Sequence, residues 1–278
     1  MKLIPGTNGE IAVKIGRFLG ESPDFIQIEK LPYGEKYVRI PFDVGREVAV
    51  VNTFFPNPDE ILFESRLIGE ILRERGAEEI VLVAPYLAYS RRRTAIYGEA
   101  KSLETVMDIL GVFDRIVAVD FYGHVSSVEC ISAMPLLAEY IEEEFDLKDP
   151  VVLGPDEFST NWLDAFSEKL GAETAVIKKI RIDAKNVVVS KIEADVRGRD
   201  VVIADDIIAT GATVIQSAKK LRSMGAKRIF VAVTHALLDK EVYASILKSG
   251  IEEVIATDTV LSPVSRVSVA EMIAGLLR

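Results

Sequence analysis

The chain has 278 residues and a formal net charge of −10. With 49% hydrophobic residues, it is long enough to bury one large core or two of ordinary size. The acidic balance argues against general nucleic-acid binding, so a polyanionic ligand would have to meet a local basic cluster. Cys130 is the only cysteine, which excludes an internal disulfide and a zinc site made of cysteines. No apolar run could cross a bilayer, so we expect a cytoplasmic protein with no membrane or nucleic-acid partner.

The chain contains an internal repeat. GREVAVVNTF at 45–54 aligns with GRDVVIADDI at 198–207, and LRERGAEEIVLVAPYL at 72–87 aligns with LRSMGAKRIFVAVTHA at 221–236. Each copy has the pattern of a strand, a loop, a helix that ends near a glycine, and a second strand. This order is typical of parallel βαβ units, because parallel strands need a crossover connection.

Short apolar runs rich in β-branched residues predict strands that are covered on both faces. These runs are VAVV (48–51), IVLVAP (80–85), IVAVD (116–120), VVLGPD (151–156), VVIADD (201–206), IFVAV (229–233) and VIATD (254–258). Helical periodicity over 61–77 and 213–226 separates some of them. We predict an α/β protein of two domains, 1–147 and 148–278, because the acidic stretch at 142–150 suits an exposed boundary. A surface loop within one domain would have the same composition.

Asp205 and Asp206 stand side by side at the end of a predicted strand, directly before a loop of small residues. The first copy has neither feature, so they are not needed to build the unit and favour a ligand site. Parallel sheets bind ligands at the carboxyl ends of their strands. The N–H groups of the following helix can surround a phosphate, while the two carboxylates suit vicinal hydroxyls or a cation. The pattern indicates a sugar-phosphate site, the alternative being a strand-end turn with a threonine cap. The loop residues of this candidate site are Ala209, Thr210, Gly211, Ala212 and Thr213.

The segment 205–213 resembles the phosphoribosyl diphosphate (PRPP) signature of the type I phosphoribosyltransferase fold, with Ala212 where a second glycine is common. Most of the chain, in order, resembles the ribose-phosphate diphosphokinases, or PRPP synthases, particularly the short archaeal kind. The further matching segments are LVAPYLAYSR (82–91), GEAKS (98–102), PLLAEYI (135–141), GPD (154–156), KIR (179–181) and ATDTVLSPVSRVSVAEMI (256–273).

The resemblance implies two tandem phosphoribosyltransferase-like domains with parallel central sheets. The N-terminal domain would serve the nucleotide and the C-terminal domain ribose 5-phosphate. The implied reaction transfers the diphosphoryl group of ATP to the C1 hydroxyl of ribose 5-phosphate, with Mg²⁺, and releases AMP. The resemblance also implies a homo-oligomer, a dimer or larger.

Further residue roles follow from the same resemblance. Lys179 and Arg181 match family residues on a flexible segment that stabilise charge on the transferred group, and on an extended segment residues two apart share one side. A solvated basic run is the alternative reading. Asp156 matches a family aspartate that binds Mg²⁺, although an aspartate at a strand end is more often a cap.

The nucleotide side departs from the family pattern. The cluster at 91–93 is placed to meet phosphates, but the family has Arg-Gln-Asp there, so Arg91 carries over directly and Arg92 stands at the glutamine position. Glu35 matches in a stretch that contacts adenine from a neighbouring subunit. The remaining departures are Tyr33 in that stretch, Tyr122 at the position of a family histidine that helps bind the metal, with His124 two residues beyond, and Phe158 in place of a glycine.

Two hypotheses remain open. Lys179 and Arg181 favour an enzyme that makes PRPP. The departures on the nucleotide side favour a catalytically altered or silent homologue that binds ribose 5-phosphate, PRPP or a nucleotide as a regulatory partner. A transferase that consumes PRPP is a weaker third reading, because such proteins usually lack the N-terminal copy. His235, which ends a predicted strand, is read equally well as a satisfied polar group or as a catalytic residue.

Overall fold

The computed structural model describes residues 1–91, 97–123, 125–154, 160–181 and 187–278, with the backbone alone at 160, 161, 178–181 and 187–191. The chain forms two compact units, Met1–Ile131 with Val269–Arg278, and Ser132–Ser268. This division differs from the expected boundary at 147/148. Helix α4 belongs to the second unit because its apolar face packs into that unit's core. Helix α8 belongs to the first unit, where it packs against α1.

The first unit contains a five-stranded parallel sheet in the order β1-β4-β5-β6-β7. Its strands are β1 (Lys2–Pro5), β4 (Glu47–Val51), β5 (Glu79–Ala84), β6 (Arg115–Val119) and β7 (Val128–Ile131). Its helices are α1 (Ala12–Leu19), α2 (Pro58–Glu74), α3 (Ser102–Leu110) and α8 (Ala270–Leu276). Strands β2 (Gln27–Lys30) and β3 (Lys36–Arg39) form a separate antiparallel hairpin.

The second unit contains a seven-stranded sheet in the order β10-β9-β8-β11-β12-β13-β14. Its strands are β8 (Val151–Gly154), β9 (Glu173–Arg181), β10 (Val187–Ile192), β11 (Asp200–Ile208), β12 (Arg228–Ala236), β13 (Glu253–Thr257) and β14 (Ser265–Val267). Its helices are α4 (Met134–Glu144), α5 (Thr160–Leu170), α6 (Ala212–Met224) and α7 (Lys240–Lys248). The pairs are parallel except β9 with β10.

Alternating residues of β11 enter two different cores. Val201 and Ile203 pack in a cluster with residues of α6 and α7, whereas Val202 and Ala204 pack in a cluster with residues of α4 and α5. Because successive strand residues point to opposite faces, both faces of this strand are apolar. The prediction of strands covered on both faces is therefore confirmed for β11.

The internal repeat is confirmed by the strand register. Glu47 begins β4 and pairs with Glu79, which begins β5. The aligned residues of the second copy, Asp200 and Arg228, begin β11 and β12 and pair in the same way. All seven predicted strands are present. In the described part of the chain, no helix is both long and apolar enough to cross a bilayer.

An ion pair fixes the start of β11. The Asp200 carboxylate is buried, accepts a hydrogen bond from the Lys148 N–H at 2.8 Å, and contacts the Arg228 guanidinium at 2.5 Å. Burial by itself would raise the pKa of Asp200, but the hydrogen bonds and the charge of Arg228 outweigh it and lower that pKa. In the first copy the aligned residues are both glutamates, so this ion pair belongs to the second unit.

Candidate active site

The second unit places the aspartate pair at a topological switch point. Strand β8 lies between β9 and β11, and the chain runs outward to β9 on one side and to β12 and β13 on the other. In open α/β sheets, ligands bind outside the carboxyl ends of the strands at such a point. The loop that follows β11 lies at this edge.

Strand β11 extends further than the sequence indicated. Ile207 and Ile208 continue the pairing with β12, so the strand ends at Ile208 rather than at Asp206. Adjacent strand residues point to opposite faces, and Asp205 is half-buried whereas Asp206 is 3% exposed. The Asp206 N–H donates to Asp205 Oδ1 at 2.8 Å. The two carboxylates therefore leave the strand on opposite faces, so a ligand would contact each of them separately.

The loop after β11 leads into a helix at the predicted place. Ala209 and Thr210 are exposed, Gly211 is buried, and α6 begins at Ala212, which is exposed. The Thr210 hydroxyl accepts a long hydrogen bond, 3.5 Å, from the Ala212 N–H, and Thr213 is half-buried in the first turn. The N–H groups of a first helical turn have no carbonyl partner within the helix, so this turn can bind an anion.

Gly211 is required by both its backbone and its neighbours. Its φ of 68° is in the left-handed region, and a Cβ there would lie 2.9 Å from Ile246 Cγ1 and 3.2 Å from Val242 Cγ1 of α7. A larger residue would have to displace α7 or the loop. The close approach of α6 and α7 therefore fixes the loop that precedes the helix.

A buried polar cluster lies beside this edge, at the ends of β12 and β13. The hydroxyls of Thr257 and Thr259 donate to the Thr234 carbonyl at 2.7 and 2.9 Å. His235 is 4% exposed, and its Nδ1 is 2.9 Å from Thr259 Oγ1. Thr259 Oγ1 also lies 2.9 Å from Thr257 Oγ1, so His235 is part of a network of buried hydroxyls. The His235–Thr259 bond supports the interpretation of His235 as a hydrogen-bonded polar group at the end of a strand.

The residues implied as catalytic lie on β9. Lys179 pairs with Val189 of β10 and Arg181 pairs with Val187, so they stand two residues apart on one strand. The structure describes their backbone and not their side chains. Their role in charge stabilisation stays a prediction.

The first unit holds the candidate nucleotide residues. Glu35 is exposed in the turn between β2 and β3, where the Leu31 N–H donates to the Glu35 carbonyl at 2.8 Å. Arg91 follows β5, and its guanidinium lies 5.5 Å from the ring centroid of Tyr122. Tyr122, at the position of the family histidine, thus contacts a residue expected to bind the nucleotide. This contact joins residues 31 positions apart and could not be predicted from a local pattern.

The loop that carries Arg91 is tied to α2. Tyr89 has a φ of 70°, and its hydroxyl donates to the Asp59 carboxylate in the first turn of that helix. This hydrogen bond raises the pKa of Tyr89, with burial and the Asp59 charge adding to it. The remaining candidates of this side, Arg92, His124 and Asp156, lie outside the described residues.

The described residues contain no cluster of three or more His, Cys, Asp or Glu side chains that could hold a metal ion. Mg²⁺ usually needs one or two carboxylates and takes its other ligands from water and substrate phosphates. The oxygen ligands at the end of β11, Asp205 and Asp206, are of the type that Mg²⁺ prefers. The site therefore fits a magnesium ion delivered with a phosphate-bearing substrate.

The corresponding edge of the first unit is filled by its own side chains. Asn52 aligns with Asp205, and both Asn52 and Glu64 are fully buried. Glu64 Oε1 accepts from the Asn52 amide at 3.0 Å and from the Thr7 N–H at 2.8 Å. Glu64 Oε2 accepts from the Thr7 hydroxyl at 2.5 Å and from Lys36 Nζ at 2.9 Å. The strand edge of the first unit is thus closed by an internal network of hydrogen bonds around Glu64.

Two family models match the chain. A phosphoribosyl transferase domain matches residues 129–261, and the N-terminal domain of ribose phosphate pyrophosphokinase matches residues 1–112. The fold and the family models thus define a protein that contains the phosphoribosyltransferase fold.

Curated relatives narrow this class. Ribose-phosphate pyrophosphokinase 1 of Archaeoglobus fulgidus is 43% identical, covering 99% of both chains. The ribose-phosphate pyrophosphokinase of Methanopyrus kandleri is 36% identical over 94% of both chains. The crystal structure of phosphoribosylpyrophosphate synthetase from Mycobacterium smegmatis matches with a TM-score of 0.86 and 27% identity, covering 100% of this chain and 97% of that one. The chain belongs to the ribose-phosphate pyrophosphokinase family.

Proposed function

We propose that this protein transfers the diphosphoryl group of ATP to the C1 hydroxyl of ribose 5-phosphate, giving PRPP and AMP. The observation that carries the proposal is the loop at 209–213, which leads from the switch point of the sheet into the N-terminus of α6. The full-length similarity to curated ribose-phosphate pyrophosphokinases supports it independently.

The sugar phosphate would bind at the second unit. Its phosphate would accept hydrogen bonds from the N–H groups of Ala212, Thr213 and Val214, aided by the helix dipole and the hydroxyls of Thr210 and Thr213. Asp205 and Asp206 would accept from ribose hydroxyls, since like charges keep the carboxylates away from the phosphate. This orientation leaves the C1 hydroxyl free to react.

In the reaction, the C1 oxygen attacks the β-phosphorus of ATP and forms the new O–P bond. The bond from that phosphorus to the oxygen bridging the α and β phosphates breaks, the bridging oxygen leaves with AMP, and the proton of the C1 hydroxyl is released to water. Lys179 and Arg181 would stabilise the charge on the transferred group, because positioning and cationic stabilisation are most of what a protein supplies in phosphoryl transfer. Mg²⁺, with Asp156 and His124 as candidate ligands, would neutralise charge on the diphosphate.

The nucleotide would bind on the side of the first unit. Arg91 and Arg92 are the candidate phosphate contacts, and Glu35 is the candidate contact on the exposed hairpin turn. We further propose a homo-oligomer in the cytoplasm in which a neighbouring copy supplies Glu35, and the 72% exposure of Tyr33 in that turn is compatible with such a contact. The contact of Tyr122 with Arg91 favours a second candidate function, a homologue that binds these ligands with little or no turnover.

One assay tests the first proposal against the second. Purified protein is incubated with ribose 5-phosphate and Mg²⁺ and, separately, with ATP, ADP, GTP or CTP, and PRPP and the released nucleotide are quantified. We expect PRPP and AMP in equal amounts with ATP. Binding of ribose 5-phosphate by calorimetry without product from any donor would reject the enzyme and support the silent homologue.

A further inference from the structure

The hairpin of β2 and β3 is held to α2 by two lysines that close its turn. Lys30 and Lys36 are partners in the hairpin register, on either side of the turn that carries Glu35. Lys30 contacts Glu60 at 2.9 Å, and Lys36 contacts Glu64 at 2.9 Å, so the two acids lie one helical turn apart on α2. The hairpin is a two-stranded sheet of its own, so these side chains matter for its position.

The two ion pairs differ in burial. The side chains of Lys30 and Glu60 are 58% and 45% exposed, whereas those of Lys36 and Glu64 are 13% and 0% exposed. An exposed pair is screened by water and fixes little, but a buried pair with good hydrogen bonds holds one geometry. The hairpin therefore has one weak and one strong attachment to the same helix.

The buried attachment is a fully hydrogen-bonded carboxylate. Thr7 and Asn52 provide three of the four donors to Glu64, and both are neutral, so Lys36 supplies the positive charge among these partners. Breaking the contact with Lys36 would leave a buried carboxylate without this counter-charge. The ion pair with Glu64 therefore holds Lys36 beneath the hairpin turn.

Apolar packing does not fix the turn at the same place. A groove of about 530 Å³ lies between the turn and α2, bordered by Gly34, Glu35, Phe63 and Leu67 as well as by the two lysines. Phe63 is 57% exposed in it. The strands of the hairpin pack on the core through Ile28 and Val38, whereas the end that carries the turn is attached to α2 by the lysine contacts.

We propose that Lys36 is a positioning residue for the nucleotide donor: through Glu64 it fixes the turn that presents the neighbouring Glu35. The inference rests on the proposed function, because it assigns Glu35 to the nucleotide. Lys36 itself does not touch the donor; its ammonium group is directed to the carboxylate beneath the hairpin.

The test compares Lys36→Met with its register partner, Lys30→Met. We expect Lys36→Met to raise the KM for ATP about tenfold while kcat changes by less than about twofold. Lys30→Met should leave both constants within about twofold of the wild type. Lys36→Arg, which keeps the charge, should restore most of the affinity. An unchanged KM in Lys36→Met would overturn the proposal.

A double variant separates positioning from simple destabilisation. Lys36→Met with Glu64→Gln removes the unpaired buried charge, so we expect the melting temperature to return towards the wild type while the KM for ATP stays raised. Recovery of KM together with stability would show a structural role and reject the proposal.

Hydrogen exchange of the amides at 27–39 gives a reading that does not depend on activity. We expect faster exchange in Lys36→Met than in Lys30→Met. If the wild type makes no PRPP, the proposed function fails, and exchange alone decides whether Lys36 anchors the hairpin. Equal exchange in the two variants would reject the anchor.

Discussion

The two copies of the repeated unit share one βαβ arrangement but differ in whether the start of the helix can bind an anion. After β11, small residues lead into α6, whose first turn, Ala212 to Val214, contains no acidic residue. After β4, α2 begins with Pro58, which lacks an N–H donor, and continues with Asp59 and Glu60. A helix start of the second kind repels an anion and offers it fewer donors. The repeated βαβ unit itself therefore does not determine whether a ligand binds. The loop and the first helical turn determine it.

The side chains at the strand ends that precede these two helices also differ between the copies. In the first copy, Glu64 and Asn52 fill the space at the strand end and satisfy each other. In the second, β11 ends at Ile208, two residues after Asp206, and the exposed residues Ala209 and Thr210 follow. The polar side chains at the strand end of the first copy are thus satisfied within the protein.

The largest effect is expected from giving the first copy the acid of the second. Asn52→Asp would place a carboxylate beside the buried Glu64, in place of an amide that donates to it at 3.0 Å. Two buried like charges should lower the free energy of unfolding by about 3 kcal/mol. Denaturant unfolding measures this, with the exposed Asn57→Asp as the control for the same chemical change. Equal stability of the two variants would contradict the view that this edge is closed.

A smaller loss is expected at Gly211. An alanine there must adopt a left-handed backbone and would place its Cβ 2.9 Å from Ile246, so the free energy of unfolding should fall by about 2 kcal/mol. Gly20→Ala is the matched control, because Gly20 has a φ of 72° and nothing within 4 Å of the added Cβ. The difference between the two variants measures the packing against α7, and ribose 5-phosphate titration should show weaker binding for the Gly211 variant alone.

The third prediction concerns a substitution that gives α6 an acidic residue in its first turn, as in α2. Ala212→Glu puts an acid at the exposed first position of the helix, where it is compatible with the helix dipole but faces the proposed phosphate. We expect the affinity for ribose 5-phosphate to fall about tenfold, with no loss of stability. Gln216→Glu makes the same charge change one turn further along and should have less than about a twofold effect. If calorimetry gives equal affinities, the phosphate does not bind at this turn.

The smallest effect concerns the opposite end of the strands. Asp200 has a lowered pKa in the folded protein, so its pairing with Arg228 adds stability above the ordinary aspartate pKa of 3.8. This contribution should be lost as the pH falls through the lowered folded value. The stability difference between the wild type and Asp200→Asn should therefore be constant near neutral pH and shrink in strong acid. Unfolding experiments between pH 7 and 2.5 would show a pH-independent difference if the ion pair contributes nothing.

Much of the frame could be predicted from the sequence. Strands such as 48–51 and 229–233 are apolar runs with strong β propensity, and the alignment of the two copies predicts a parallel βαβ unit in each. The loop at 209–213 was predictable because its glycine and small residues have a direct conformational meaning. These features depend on the conformational preferences of residues that are close together in the sequence.

The remaining features depend on contacts between distant residues. The contact of Lys36 with Glu64 joins two segments 28 residues apart, and no local pattern distinguishes Glu64 from an exposed helical acid. The end of β11 depends on pairing with His235 and Ala236 rather than on its own residues. Likewise, the domain boundary could not be placed from composition at 142–150, because the packing of α4 decides to which unit that segment belongs.

The position of α8 has a consequence for biosynthesis. The Arg278 guanidinium donates to the Phe18 carbonyl at 2.9 Å, and the Arg115 guanidinium donates to the Leu276 carbonyl at 3.3 Å. The N-terminal unit therefore needs the last ten residues of the sequence, Val269–Arg278. On the ribosome, Met1–Ile131 can complete its unit only after Val269–Arg278 has been made, whereas Ser132–Ser268 is one uninterrupted segment that can fold earlier.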